Sequence, residues 1–229
     1  MSRFLDENRA SRDAVLARVR NALGRTGSDA QARADAEAYI AAHAQGPRPS
    51  MPADLVQRFL SRATDMASTV ERIASLDEVP AAVARYLDAL ELRPEIADQK
   101  SHNGVCWPEF ASLDWKGAGL AIEARPTVGN DRLGITGSFC AIAETGTVVL
   151  VTQPQSPTAT ALLPDTQVAI VRADRIVSGM EEAFALVRRE LPNAPRAIHF
   201  ISGPSRTGDI EQTIVLGAHG PYRVHILLA

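Results

Sequence analysis

Ile135-Thr136-Gly137-Ser138-Phe139-Cys140-Ala141-Ile142-Ala143-Glu144-Thr145-Gly146-Thr147-Val148-Val149-Leu150-Val151-Thr152 is the most structured stretch of the chain. Ile142 and the run Val148 to Val151 flank Glu144-Thr145-Gly146-Thr147, which reads as a hairpin whose glycine supplies a positive φ. Short β-branched runs elsewhere alternate with helical patterns. Ser68-Thr69-Val70-Glu71-Arg72-Ile73 is followed by Ser75-Leu76-Asp77-Glu78, a capping-box sequence opening a helix to about Leu90. Weak strands are expected at Glu95 to Asp98 and Gly119 to Glu123. A strand at Val168 to Val171, a helix at Met180 to Leu191, and strands at Ala197 to Ser202 and Val224 to Leu228 complete the pattern. This alternation predicts an α/β fold with a mostly parallel sheet flanked by helices.

The chain before it reads differently. Val15, Leu16, Val19 and Leu23 recur at helical spacing up to Gly24, Gln31 to Gln45 is weakly helical, and Ala53 to Thr64 places Leu55, Phe59 and Leu60 inward. Residues 1–65 are therefore read as an N-terminal helical extension and residues 66–229 as the α/β domain. The apolar face of the first helix needs a surface to pack on.

Hydrophobic residues make up 45% and charged residues 22% of the 229, a composition for a stable globular fold. The 24 basic residues are outnumbered by 27 acidic ones, and no basic cluster suggests a phosphate backbone, so nucleic acid is not expected as a partner. Two cysteines, Cys106 and Cys140, are too few for the four thiolates that commonly hold an iron–sulfur cluster. No apolar run approaches about 18 residues and the N-terminus has no apolar leader segment, so a cytoplasmic protein without membrane insertion is expected.

Gly203-Pro204-Ser205-Arg206-Thr207-Gly208-Asp209-Ile210-Glu211 follows an apolar strand and is expected to lead into a short helix. Free N–H groups, the Ser205 and Thr207 hydroxyls and the Arg206 fork suit a small carboxylate or phosphate there, although any such turn needs the same residue types. Asp209 either orients Arg206 or His219 or caps the helix. Glu144 beside the apolar strand is a candidate general acid or base if buried, and otherwise a carboxylate bonding its own turn. His219 lies in Gly217-Ala218-His219-Gly220-Pro221 and is the histidine best placed for proton transfer, while His199 and His225 read as strand residues. Asp209, Glu211 and His219 carry side chains that bind metals, but in no short ligand motif, and no metal site is assigned.

Taken in order, Ile135-Thr136-Gly137, Ala141 to Thr147, Leu162-Leu163-Pro164, Gly203 to Glu211 and Gly217 to Pro221 resemble the signature of the LUD-domain lactate-utilisation family. The Arg12 to Leu23 helix is similar to the start of that family's smallest, cluster-free subunit. The resemblance implies a fold like that of sugar-phosphate isomerases and coenzyme A transferases. It also implies a three-protein system oxidising L-lactate to pyruvate, with iron–sulfur clusters on two partner proteins and none on this chain. Glu144 and His219 are then the candidate catalytic residues, with Thr145, Gly146, Gly203, Ser205, Arg206, Thr207, Asp209 and Glu211 binding a small anionic ligand. Gly208 stands where the family would carry Ala or Ser. A weaker likeness of Glu144-Thr145-Gly146 to the Glu-Asn-Gly of coenzyme A transferases supports an alternative, a free-standing acyl transferase, and a non-catalytic scaffold is the other.

Overall fold

The computed structural model describes residues 2–24, 30–91, 103–210 and 213–229. Contacts divide the chain into two compact units, one ending at Pro49 and the other spanning Ser50–Ala229. In the first, α1 (Ser2–Ala22) stops at Gly24, whose φ is +65°, and α2 (Ala30–Ala42) follows. Val15, Leu16, Val19 and Leu23, expected to face inward, are exposed, and α2 contributes no buried residue that could form a core with them.

The second unit begins with α3 (Leu55–Asp65), which the sequence pattern grouped with the lead-in. Asp54 caps it by accepting the Gln57 N–H at 2.9 Å, and its strongly one-sided apolar face buries Phe59 and Ala63 completely in the core of the α/β unit. The chain continues through β1 (Thr69–Arg72), α4 (Val79–Glu91), β2 (Asn103–Cys106), β3 (Ala121–Ala124), β4 (Leu133–Thr136), β5 (Cys140–Ile142) and β6 (Thr147–Val151). After α5 (Ala159–Leu162) come β7 (Thr166–Val171), β8 (Ile176–Val177), α6 (Met180–Glu190), β9 (Ile198–Ile201), β10 (Arg206–Ile210), β11 (Thr213–Leu216) and β12 (Arg223–Leu228). The strand expected at Glu95 to Asp98 lies outside the described residues. Before α4, Ser75 makes no side-chain cap and Glu78 accepts from the Ala74 N–H at 3.0 Å, so a short 3-10 turn replaces the expected capping box.

Six strands form one parallel sheet in the order β1-β12-β7-β4-β2-β3. Every residue of the inner strands β4 and β7 is buried, whereas the edge strands β1 and β3 have exposed positions. Continuous burial explains why Val168-Ala169-Ile170-Val171 reads as an apolar run without a period of two. Burial of each Ile135- or Val168-sized side chain contributes about 1.5–3 kcal/mol.

A second sheet, ordered β8-β5-β6-β9, is mixed: β6 runs antiparallel to both β5 and β9, and β5 parallel to β8. The Ala197 to Ser202 strand thus joins this sheet instead of the parallel one. Arg206 to Ile210 does not become a helix. It pairs with β11 in a separate hairpin, because Thr213-Ile214-Val215-Leu216 is a β-branched run able to partner it.

Candidate functional site

The β5–β6 hairpin sets Ile142 opposite Thr147, and the Gly146 N–H closes the tip on the Ile142 carbonyl at 3.0 Å. Gly146 has φ +69°, as the sequence requires, and a Cβ there would lie 2.3 Å from the Ala63 nitrogen. The tip therefore sits against the backbone of α3. On its other side β8 receives it, with the Glu144 N–H donated to the Ser178 carbonyl at 3.0 Å. This leaves Glu144 half-buried and Thr145 exposed.

Three hydroxyls run in line behind the tip. Thr145 Oγ1 lies 2.6 Å from Thr147 Oγ1, which lies 2.6 Å from Ser202 Oγ. Two hydrogen bonds consume two of the three O–H hydrogens, leaving one for a further acceptor. Ser202 precedes Gly203, whose φ is +82° and whose Cβ position would fall 2.0 Å from the Met66 carbonyl oxygen. Hairpin tip and turn are thus both seated on the C-terminal end of α3.

That helix supplies cations the sequence reading missed. Arg58 and Arg62 are one turn apart on the same face, and Nε of each is buried without a hydrogen-bond partner. The Arg62 Nη1 reaches Asp65 at 2.9 Å, and its backbone is part of what a Gly146 side chain would strike. The signal available beforehand was the Arg58-x-x-x-Arg62 spacing on an amphipathic helix.

Three residues past Ser202, Ser205 organises a second cluster. Its N–H donates to the Pro221 carbonyl at 2.9 Å, its carbonyl accepts from Gly217 at 2.9 Å, and its Oγ accepts from the His219 N–H at 3.3 Å. Ser205 and His219 are thereby brought together, with the imidazole residue and Arg206 both exposed. Thr207 is buried and Gly208 faces open space. The expected helix N-terminus is absent here, because the segment is strand β10, so the anion reading loses its helix dipole. Asp209 lies on β10, and Glu211 is outside the described residues. Among the described residues no hydrogen bond or ion pair joins Glu144 to Arg206 or His219.

Cys106 and Cys140 are free and buried, and burial pushes both thiols up to about 11. Two such thiols do not make a four-thiolate set, so the residues present do not fit an iron–sulfur cluster. Among the described residues no three His, Cys, Asp or Glu side chains group as a metal site.

The sequence profile of the LUD domain matches residues 108–229, from the turn after β2 through β12. The chain belongs to the LUD-domain family. This LUD-domain chain is 35% identical over 126 residues to lactate utilization protein C of Bacillus subtilis (strain 168), covering 53% of this chain and 52% of that protein. It is 33% identical over 121 residues to lactate utilization protein C of Bacillus licheniformis, covering 51% and 50%. Lactate utilization protein C 1 of Bacillus mycoides is 38% identical over 99 residues, 42% of each chain. The chain spans about half the length of the curated relatives it matches. The crystal structure of a DUF162 family protein from Deinococcus radiodurans superimposes with a TM-score of 0.56 at 20% identity, covering 79% of this chain and 99% of that one. That likeness establishes the α/β fold of the LUD domain.

Proposed function

We propose that this LUD-domain chain serves lactate utilisation as a subunit of a multi-protein system that oxidises L-lactate to pyruvate. The observation that carries the reading is its similarity over 126 residues to a protein named lactate utilization protein C, together with the LUD-domain match over residues 108–229, which include the hairpin tip and the Ser205 cluster. In this reading two partner proteins hold the iron–sulfur clusters, consistent with the donor set of Cys106 and Cys140. The system works in the cytoplasm, and no described helix is long and apolar enough to cross a membrane.

The chain's own part is to hold a small anion, the carboxylate of a 2-hydroxy or 2-keto acid, at the α3 end of the domain. The line of Thr145, Thr147 and Ser202 offers its one uncommitted hydroxyl hydrogen, Arg58 and Arg62 the positive charge, and Glu144 at the tip exchanges a proton with the ligand. Ser205, Arg206 and His219 flank this site through Gly203-Pro204.

The test is lactate-dependent dye reduction by the purified chain, by the two iron–sulfur partners, and by the three-protein mixture. Turnover is expected in the complete mixture alone. Strong turnover by this chain without added cofactor overturns the reading. A mass adduct from acyl-coenzyme A that Glu144→Gln abolishes would replace it with acyl transfer.

A further inference from the structure

The parallel sheet has a second feature with no role in the anion reading. From β2 the chain winds outward to β3, whereas from β4 it winds the other way, through β7 to β12. The two windings diverge between the neighbours β2 and β4, and in open α/β sheets ligands settle in the crevice at the carboxyl ends of such strands. A cavity of about 270 Å³ lies there. It has room for a small organic ring, since a cavity of about 150 Å³ already holds benzene.

Its walls are built by the residues that leave the two strands. Trp107 follows β2, donates its N–H to the Ile135 carbonyl at 3.0 Å, and is pinned by indole Nε1 to the Pro157 carbonyl at 3.1 Å. Glu109 stands in the next turn, and Ser138 and Phe139 follow β4, with Gln153 and Ser156 closing the opposite side. Among the described residues no Lys or Arg lines the cavity. The hairpin connects this place to Glu144, but Phe139 and Glu144 are five residue steps apart, up to roughly 16 Å at 3.3 Å per residue.

Gly137 shows how closely the acid is seated. A Cβ at this position would lie 2.4 Å from Glu109 Oε1 and 3.4 Å from the Trp107 ring, so glycine is what admits the carboxylate. Glu109 as a whole is exposed, yet its carboxyl end is against this wall, and desolvation raises its pKa above the usual carboxylate range. It makes no hydrogen bond or ion pair among the described residues. An acceptor without a partner among the described residues, in a cavity also lined by Ser138, Gln153, Ser156 and the aromatic residues Trp107 and Phe139, calls for a ligand that donates hydrogen bonds from an uncharged ring. An anion would meet like charge at Glu109, and Arg175, which lies 5.2 Å over the Phe139 ring, is already paired with Glu190.

We infer that this crevice binds a ribosyl group or an equivalent uncharged vicinal diol, with Glu109 accepting its hydroxyls and Trp107 and Phe139 flanking the ring. A carboxylate at the carboxyl edge of a parallel sheet performs the same service for ribose in dinucleotide-binding folds. The site is independent of the anion reading, and neither depends on the other.

Ligand-observed NMR titration of the full chain with D-ribose, adenosine, 2′-deoxyadenosine and inorganic phosphate tests it. Saturable binding of adenosine or ribose is expected, weakened about tenfold by Glu109→Gln and by loss of the 2′-hydroxyl, the scale of one hydrogen bond to a charged group. Binding of adenosine alone assigns a nucleoside, and of ribose alone a free pentose. Ser138→Ala gives a second variant, and an unchanged Tm verifies each fold. The inference is overturned if neither diol binds at tens of millimolar, if 2′-deoxyadenosine binds as well as adenosine, if both variants bind like the wild type, or if phosphate binds there more tightly.

Discussion

Thr147 and Ser202 share a hydroxyl hydrogen bond of 2.6 Å across 55 residues of sequence, and it ties the start of β6 to the end of β9. Those two strands are antiparallel neighbours, with Val148 opposite Ile201, so the bond caps the ladder where both loops lean on α3. The glycine beside each hydroxyl makes that lean possible.

Gly146→Ala and Gly203→Ala are therefore expected to be costly. Each must hold an L side chain at positive φ, about 1–2 kcal/mol, and must displace α3 backbone, about 1–3 kcal/mol more. At about 2–4 °C per kcal/mol for a domain of this size, Tm should fall by roughly 5–15 °C. Gly208→Ala, where nothing lies within 4 Å of the Cβ position, is the control. Equal Tm values for all three would remove the packing argument.

His225 makes a pH prediction. The ring is buried, stacks on Tyr86 with centroids 4.0 Å apart, and has Nδ1 2.8 Å from Thr69 Oγ1, while Glu71, paired with Arg85, stands 4.0 Å from Nε2. Desolvation outweighs Glu71 and lowers the pKa to about 4, from 6.5 in the unfolded chain. The unfolded state thus binds more protons between those values, so this contribution is complete above pH 6.5 and is lost as pH falls towards 4. By pH 5 the loss amounts to about 2 kcal/mol. Glu109, with a raised pKa, acts in the opposite direction. Urea midpoints at pH 7 and pH 5 should differ more for the wild type than for His225→Gln, and parallel shifts would refute it.

The cysteines should be silent. With thiols near 11 and both side chains buried, about one in a thousand is thiolate at pH 8. Iodoacetamide should leave the native mass unchanged over an hour and add two labels in urea. Rapid native labelling of either residue would contradict the burial.

The hairpin was legible because its apolar runs and Gly146 are local signals, and the parallel sheet because β7 and β12 carry the apolar runs Val168 to Val171 and Ile226 to Leu228. The fate of Arg206 to Ile210 was not, since a Gly-Pro-Ser turn serves a helix or a strand equally and the partner Thr213 to Leu216 decides between them. The pattern of α3 identifies a helix but not its membership of the domain: its partners include two glycines about 80 and 140 residues further on, and only tertiary packing reveals them. Arg58 and Arg62 escape a sequence reading for the same reason. The crevice by Glu109 required knowing that β2 and β4 are neighbours, which no local pattern states.

The location of the anion separates two arrangements. If it rests on the hydroxyl line and α3, Arg62→Ala and the double variant Arg58→Ala/Arg62→Ala should weaken L-lactate or phosphate binding about tenfold or more, and Ser202→Ala by a smaller factor. Arg62→Lys keeps the charge but loses the planar fork, so a substantial loss should persist. Because Arg62 is about one-third exposed and its one ion pair among the described residues is with Asp65, its replacement should change stability by no more than about 1 kcal/mol, which keeps the binding result interpretable. Arg206→Ala is the counter-test, as Arg206 is exposed beside Ser205 and His219. Calorimetric titration in which Arg206→Ala abolishes binding while the α3 variants bind like the wild type would move the anion to the Ser205 cluster and end the hairpin-tip reading.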